Sequence, residues 1–405
     1  MMKMPKTYFD FIQVLRPELL DFVKKDVNYL KSINRDTPIV SVDEYTPNGL
    51  QECLINSENK VIESAANSLN IPVHIVKQYI KNDKAFNHQL FALKQSVNYD
   101  FHSCLNFLLS GQKTFFFSDV ISQKLVHTEI HIPAVEIQLP FFTCQLVFTE
   151  KEVIDAFYAK AILDNPDLKI DYSCPISVFV TLFDNCDNLD GRRIIFNSYH
   201  YKFPHEIFLM QKRELFLGNN WNLEQSLKTD WEKLTPDNLG LGTIFNQNDN
   251  TIVKSEDNIF YTDGLLFYRI VLNAILYINS IKADQSEQIS DFKKLQKKLK
   301  REKSHLKKEK IISDLQKISV LDYTAIGFNE QSIVLKKSDG SEEDLDYPKL
   351  NVLDKRIFHR FMVRGHWRNQ RYGVGLSETK LIWIKPYIKG DDLSEIINKP
   401  YIIKE

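Results

Sequence analysis

Glycine is sparse in this chain, 13 of 405 residues, and none of it is grouped into a GxxxxGK[ST] or GxGxxG phosphate loop. The nearest approach, "GLGTIF" at Gly240, has two glycines but no lysine and no helix signal after them. Without clustered backbone N–H groups to cradle phosphates, nucleotide hydrolysis has no support. HExxH and GxSxG are absent as well, which removes the usual signatures of zinc proteolysis and of a serine nucleophile elbow. A nuclease assembled from scattered carboxylates and histidines stays open, because such sites need no local motif. No cofactor is expected, and no internal repeat is visible.

Cysteine is equally thin. Cys53, Cys104, Cys144, Cys174 and Cys186 are far apart, form no CxxC pair and are odd in number, against a disulfide framework and for a reducing cytosol. The opening residues "MMKMPKTYFDF" lack the apolar core of a secretory signal, so a cytoplasmic location is expected. Long hydrophobic runs are missing too. The most lipid-like one, "GLLFYRIVLNAILYINSI" from Gly264, is interrupted by Arg269 and Asn273 and reads as a buried core helix, not a membrane span.

What is present is a division of charge hidden under a net −1. Residues 291–317 hold eleven Lys and Arg against four Asp and Glu, and residues 355–390 hold nine against one, leaving an acidic remainder. Two basic C-terminal segments on an acidic body suggest a polyanionic partner for the basic part.

The pattern predicts an α+β fold in four parts. Residues 1–112 form a helical N-terminal region, with Phe9, Phe11, Ile12, Val14, Leu15, Leu19, Leu20 and Val23 close to helical spacing. Residues 113–285 form a central α/β core with a mixed sheet: "KTFFFSDV", "EIHIPAVEIQL", "TCQLVFT", "CPISVFVTLF" and "RRIIFNSYHYKF" read as strands, and "EKEVIDAFYAKAILDN" as a helix between them. An Asn-, Asp- and Gly-rich loop over 233–258 precedes the apolar helix. Residues 286–320 form a lysine-rich amphipathic helix with Phe292, Leu295, Leu299, Leu306, Ile312, Leu315 and Ile318 roughly on one stripe; its basic face is either a solvated surface or a nucleic-acid or ribosome contact. Residues 321–405 form a basic, β-rich region with a first hairpin around Asp339 and Gly340.

Two histidine groupings invite a metal reading. If "HTEIHIP" is a strand, His127, Glu129 and His131 share one face, but the spacing alone is a weak signal and a polar strand face with solvated imidazoles explains it without a metal. His200 and His205 sit five apart, which suits neither a strand face nor a helical turn.

The densest chemistry lies in "VRGHWRNQRYGVGLSETKLIWIKPY", Val363–Tyr387. Alternation puts Arg364, His366 and Arg368 on one strand face and Val363, Gly365 and Trp367 on the other; "KLIWIK" is a second strand, and Gly373 and Gly375 allow positive φ between them. This is a β-hairpin with a basic loop. Arg364, Arg368 and Arg371 offer guanidinium forks to phosphate, Lys380 and Lys385 add charge, and Trp367, Tyr372, Trp383 and Tyr387 offer rings for unpaired bases. A competing reading makes the tryptophans a structural core and pairs the arginines with the acidic body.

"RGHW", then Gly373-x-Gly375, Lys380, Trp383 and Pro386 resemble the C-terminal signature of a type V-A anti-CRISPR family, carried by phages and plasmids. "IQLPFFTCQLVF", "DNCDNLDGRRIIF" and "GLLFYRIVLNAILYI" are similar to further family segments. The resemblance implies a regulator in the bacterial cytoplasm that lowers production of the type V-A effector nuclease instead of blocking the finished enzyme. It would recognise the N-terminal peptide of the target during translation and cause loss of its mRNA, with RNA, the translating ribosome and a host ribonuclease as partners. Two other functions are compatible with the residues: a ribonuclease using His366 as acid or base beside Arg364 or Arg368, and a DNA-binding regulator of a mobile element.

Overall fold

In the computed structural model, the described residues are 3–35, 37–38, 48–80, 83–165, 167–183, 191–204, 206–223, 225–227, 259–280, 283–330 and 361–389. The loop expected over 233–258, the hairpin at Asp339–Gly340, His205 and Cys186 lie outside them.

The helical start predicted from apolar spacing forms as two helices, α1 (Tyr8–Leu15) and α2 (Pro17–Ser32). The break falls where it must. Arg16 precedes a proline, whose ring crowds the α conformation of its neighbour, and it adopts φ −134°, ψ 57°. Pro17 then begins α2 at the one turn where its missing N–H costs nothing. Next come α3 (Asn48–Leu69), α4 (Val73–Ile80) after Pro72, and α5 (Lys84–Leu109), beyond which Gly111 turns the chain with φ +77°.

The chain then builds β1 (Thr114–Phe117), α6 (Asp119–Val126), β2 (Thr128–Glu129), β3 (Thr143–Phe148), α7 (Lys151–Asp164), β4 (Ile176–Phe183), β5 (Gly191–Lys202) and β6 (Glu206–Gly218). After these follow α8 (Ile259–Asn279), β7 (Gln285–Gln288), α9 (Phe292–Arg301), α10 (His305–Lys317) and β8 (Tyr323–Ile326). A seven-stranded mixed sheet in the order β6-β5-β4-β3-β1-β8-β7 runs through the body, with β1 parallel to β3 and β8. The fold is α+β, as the pattern predicted.

Both sheet faces are covered, so β1, β3 and β4 are buried along their whole length and read as continuous apolar runs. Alternation still sorts the side chains. Cys144, Leu146, Phe148, Ile176, Val178, Val180, Ile194 and Phe196 join a core with α6, α7 and α8, while Phe116, Val147, Phe179, Tyr199 and Tyr201 join another with α1, α2 and α5.

Two expectations change. "EIHIPAVEIQL" contributes only its first residue, Glu129, to the two-residue β2, and continues into a short 3-10 turn over Ala134–Glu136. Pro133 removes a ladder donor, and Ile130, Ile132, Ala134 and Ile137 are buried as individual anchors. The lysine-rich segment forms two helices, not one, because Glu302 is extended and its carboxylate accepts from the backbone N–H groups of Lys303 and Ser304.

Helix α8, the most lipid-like stretch, is buried around its circumference, including Phe267, Ile270, Val271, Leu272, Ala274, Ile275 and Tyr277. Among the described residues no helix is long and apolar enough to cross a membrane.

Candidate nucleic-acid interface

The basic C-terminal stretch folds as β9 (Phe361–Val363), β10 (Gly365–Tyr372), β11 (Glu378–Ile384) and β12 (Tyr387–Lys389). β10 pairs antiparallel with β11 from His366↔Ile384 to Tyr372↔Glu378, and β9 pairs with β12 in the same register, Val363↔Tyr387. Together they make one long hairpin interrupted where Arg364 faces Pro386, which has no N–H to give. At the interruption β10 pairs in parallel with β2, and the Gly365 N–H donates to the His127 carbonyl at 2.9 Å. The close approach requires glycine. A Cβ on Gly365 would stand 2.7 Å from both Pro386 Cδ and Thr128 Oγ1.

The inner face holds the hairpin to the body. Trp367 is 5% exposed, stacks on Trp383 with centroids 6.1 Å apart, and donates from Nε1 to Asn273 Oδ1 at 2.9 Å. Asn273 is the polar interruption in the apolar helix; its amide also donates to the carbonyls of Leu125 (3.2 Å) and Thr128 (2.9 Å). One fully buried side chain therefore links α8, the end of α6, β2 and the hairpin. Trp383 donates to Thr128 Oγ1 at 3.2 Å and meets Tyr277 edge-on.

Ion pairs close the sides. Arg364 donates to Glu129 at 2.9 Å, and Lys385 reaches Glu330, which also holds Lys124 at 2.8 Å. Lys124 and Glu330 are 7% and 10% exposed. Burial pushes the Glu330 carboxyl up, but the two ammonium groups outweigh it and hold it below the usual carboxylate range.

The outer face carries His366, Arg368, Gln370 and Tyr372, opposite Ile384, Ile382, Lys380 and Glu378. His366, Arg368 and Tyr372 are exposed. Arg368 contacts Gln370, and the Lys380 ammonium lies 4.8 Å above the Tyr372 ring. A hydrogen bond to Glu378 pushes the Tyr372 phenol up. Arg371 is exposed but projects on the other side of the strand from Arg368. Gly373 (φ +82°) and Gly375 (φ +66°) turn the tip, and Val374 between them is 94% exposed.

The eleven residues singled out from sequence thus divide. Gly365's neighbours Arg364, Trp367, Trp383 and Lys385 fasten the hairpin; His366, Arg368, Tyr372 and Lys380 lie on the outer face, Arg371 is exposed on the opposite one, and Gly373 and Gly375 shape the tip. Asn273, Thr128 and Glu330 were not singled out as site residues. The lone asparagine inside "RIVLNAILYI" was the available signal, since a buried amide demands partners.

Among the described residues neither histidine grouping is assembled as a metal site. His127 caps α6 and faces Glu152 at 3.2 Å, whereas Glu129 is shared by Arg364 and His131. His200 is buried, accepting from the Tyr158 hydroxyl at Nδ1 (2.7 Å) and facing the Cys174 carbonyl through Nε2; burial lowers its pKa, so it serves as a neutral core residue. Among the described residues no group of three His, Cys, Asp or Glu is placed to hold a metal ion. Cys53, Cys104, Cys144 and Cys174 are free and buried.

Residues 362–390 match the model of the AcrVA2-like family, described as an anti-CRISPR type V subtype A2 family. The matched stretch runs through the docked hairpin from β9 to β12. Comparison with curated proteins and with solved structures returns no match.

Proposed function

We propose that this chain is an anti-CRISPR-like regulator that recognises a target polypeptide, the N-terminal part of a type V-A nuclease, during translation and promotes loss of its mRNA. The observation that carries the reading is the family match over residues 362–390, which falls on a hairpin built as a presented surface. Its inner face is consumed by docking through Trp367 and Trp383, and its sides are clamped by the ion pairs of Arg364 and Lys385. Its outer face leaves Arg368, His366 and Tyr372 exposed, with the half-buried Lys380 over the Tyr372 ring, an arrangement suited to RNA or the ribosome. The acidic remainder of the chain suits a basic nascent peptide. Such a protein works in the bacterial cytoplasm from a mobile element, and a host ribonuclease supplies the cleavage.

The test expresses the chain with a target gene and with a copy whose N-terminal codons are frameshifted, and measures both mRNAs. Loss confined to the in-frame mRNA is expected; equal loss of both refutes peptide recognition. Incubating purified protein with labelled RNA, beside His366→Ala, distinguishes a recruited nuclease from the chain itself: cleavage abolished by the substitution would make this chain the ribonuclease.

A further inference from the structure

The second basic segment is not explained by the hairpin. Helices α9 and α10 pack side by side, tied to the body at their base: Ser290 Oγ donates to the Ser319 carbonyl at 2.5 Å, Lys6 N–H to the Lys317 carbonyl at 3.1 Å, and the Lys6 ammonium lies 4.6 Å from the Phe292 ring. All eleven Lys and Arg between 291 and 317 are exposed. In α9, Phe292, Leu295 and Leu299 are half-buried on one stripe. At about 100° per residue, Lys293, Lys294, Lys297, Lys298, Lys300 and Arg301 occupy the opposite arc, roughly 160° wide. Six cations over a ten-residue helix, about 15 Å long, give one positive charge every ~2.5 Å. That lies between the phosphate spacing of one strand, about 3.4 Å, and of a duplex, about 1.7 Å.

Neighbouring acids cancel only part of it, at Lys294. Asp291 faces Lys3 and Lys294, Glu302 is occupied by backbone N–H groups, and Glu309 faces His305. The face carries no Trp or Tyr and a single arginine, Arg301, so it lacks rings to stack bases and offers one guanidinium fork among five lysines, too little to read base edges along a site. The two helices lie against each other, with Phe292, Leu295 and Leu299 of α9 only half-buried and Leu306 of α10 exposed, so anionic lipid is the competing surface to test. The location is separate from the hairpin: α9 begins beside the Tyr323 end of β8, whereas Glu330, which Lys385 grips, follows its Ile326 end.

We propose that the α9–α10 pair is a second polyanion site, one that holds the phosphate backbone of a nucleic acid without reading sequence. It stands on charge and geometry alone, whether or not the chain lowers any mRNA. The test uses the purified full chain with labelled single-stranded RNA, duplex RNA and duplex DNA, and with anionic phospholipid vesicles, across a salt series. The variants are Lys293→Gln/Lys297→Gln/Lys300→Gln, the same three changed to Arg, and Arg368→Gln/Lys380→Gln in the hairpin. The triple Gln variant is expected to melt as the parent does and to bind single-stranded RNA with a log K against log salt slope shallower by about 2, at ~0.7 per lost contact. The Arg version keeps the parent slope, and the hairpin variant loses its own separate increment. The three nucleic acids tell which polymer is preferred. The proposal is overturned if the triple Gln variant keeps the parent slope, if no nucleic acid binds, or if only vesicles do.

Discussion

Asn273→Leu removes the buried amide that ties the hairpin to the body while nearly keeping its volume. Three hydrogen bonds go: those to the Leu125 and Thr128 carbonyls and the one from Trp367 Nε1. At a net of about 1 kcal/mol each, plus about 1–3 kcal/mol for stranding the enclosed indole N–H, the whole-chain cost is roughly 4–6 kcal/mol. The share that falls on hairpin docking is the indole's, about 2 kcal/mol, or roughly 30-fold in the docking equilibrium. Amide hydrogen exchange reads this locally: the β10 amides should exchange roughly 30-fold faster relative to those of β4 at the sheet centre. Trp367→Phe deletes the same donor from the other side. Combined with Asn273→Leu, it should cost about 1–2 kcal/mol less than the sum of the singles, because each single change strands the other's partner. Additive costs, or β10 exchange that does not respond, would refute the view that Asn273 holds the tail.

Gly365→Ala pushes a methyl into Pro386 and Thr128, and should lower the melting temperature through an overpacking cost of about 1–3 kcal/mol while the β4 amides stay protected. Arg364→Ala removes a half-exposed pair and should cost under about 1 kcal/mol by denaturant titration. Lys124→Met strands part of a nearly buried carboxylate and should cost on the order of 2–3 kcal/mol, less than a fully broken pair because Lys385 remains. Glu330 has a folded pKa below its unfolded one, so its contribution is complete above about pH 4.3 and fades as pH falls through the folded value. Exchange of β10 followed across that acidic range should rise in the parent, and Glu330→Gln should flatten the rise.

Much of the hairpin was legible because its signal is local. Period-two alternation placed Trp367 inward and His366 and Arg368 outward, and the two glycines marked the tip. Pro17 hid a helix boundary inside a continuous apolar pattern, since periodicity is blind to a break that keeps the hydrophobic phase. "EIHIPAVEIQL" misled for a related reason: its alternating isoleucines are buried, but as anchors of an irregular segment and not as a strand. Arg371 could not be assigned a side until the strand was seen to run unbroken to Tyr372, which puts it on the opposite face from Arg368.

By itself the sequence determined the α+β class, the buried apolar helix, the concentration of positive charge in two segments and the hairpin with its glycine tip. These follow from composition and from periods of a few residues. Only the tertiary structure decided that the hairpin docks on β2, that Asn273 receives Trp367, and that Lys385 and Lys124 share Glu330. Such pairings join groups as far apart as Glu129 and Arg364, and they exist because burying a polar group demands a partner, wherever along the chain that partner lies. The same packing divides the basic tail into residues that fasten and residues that face out, a distinction that charge and spacing do not contain.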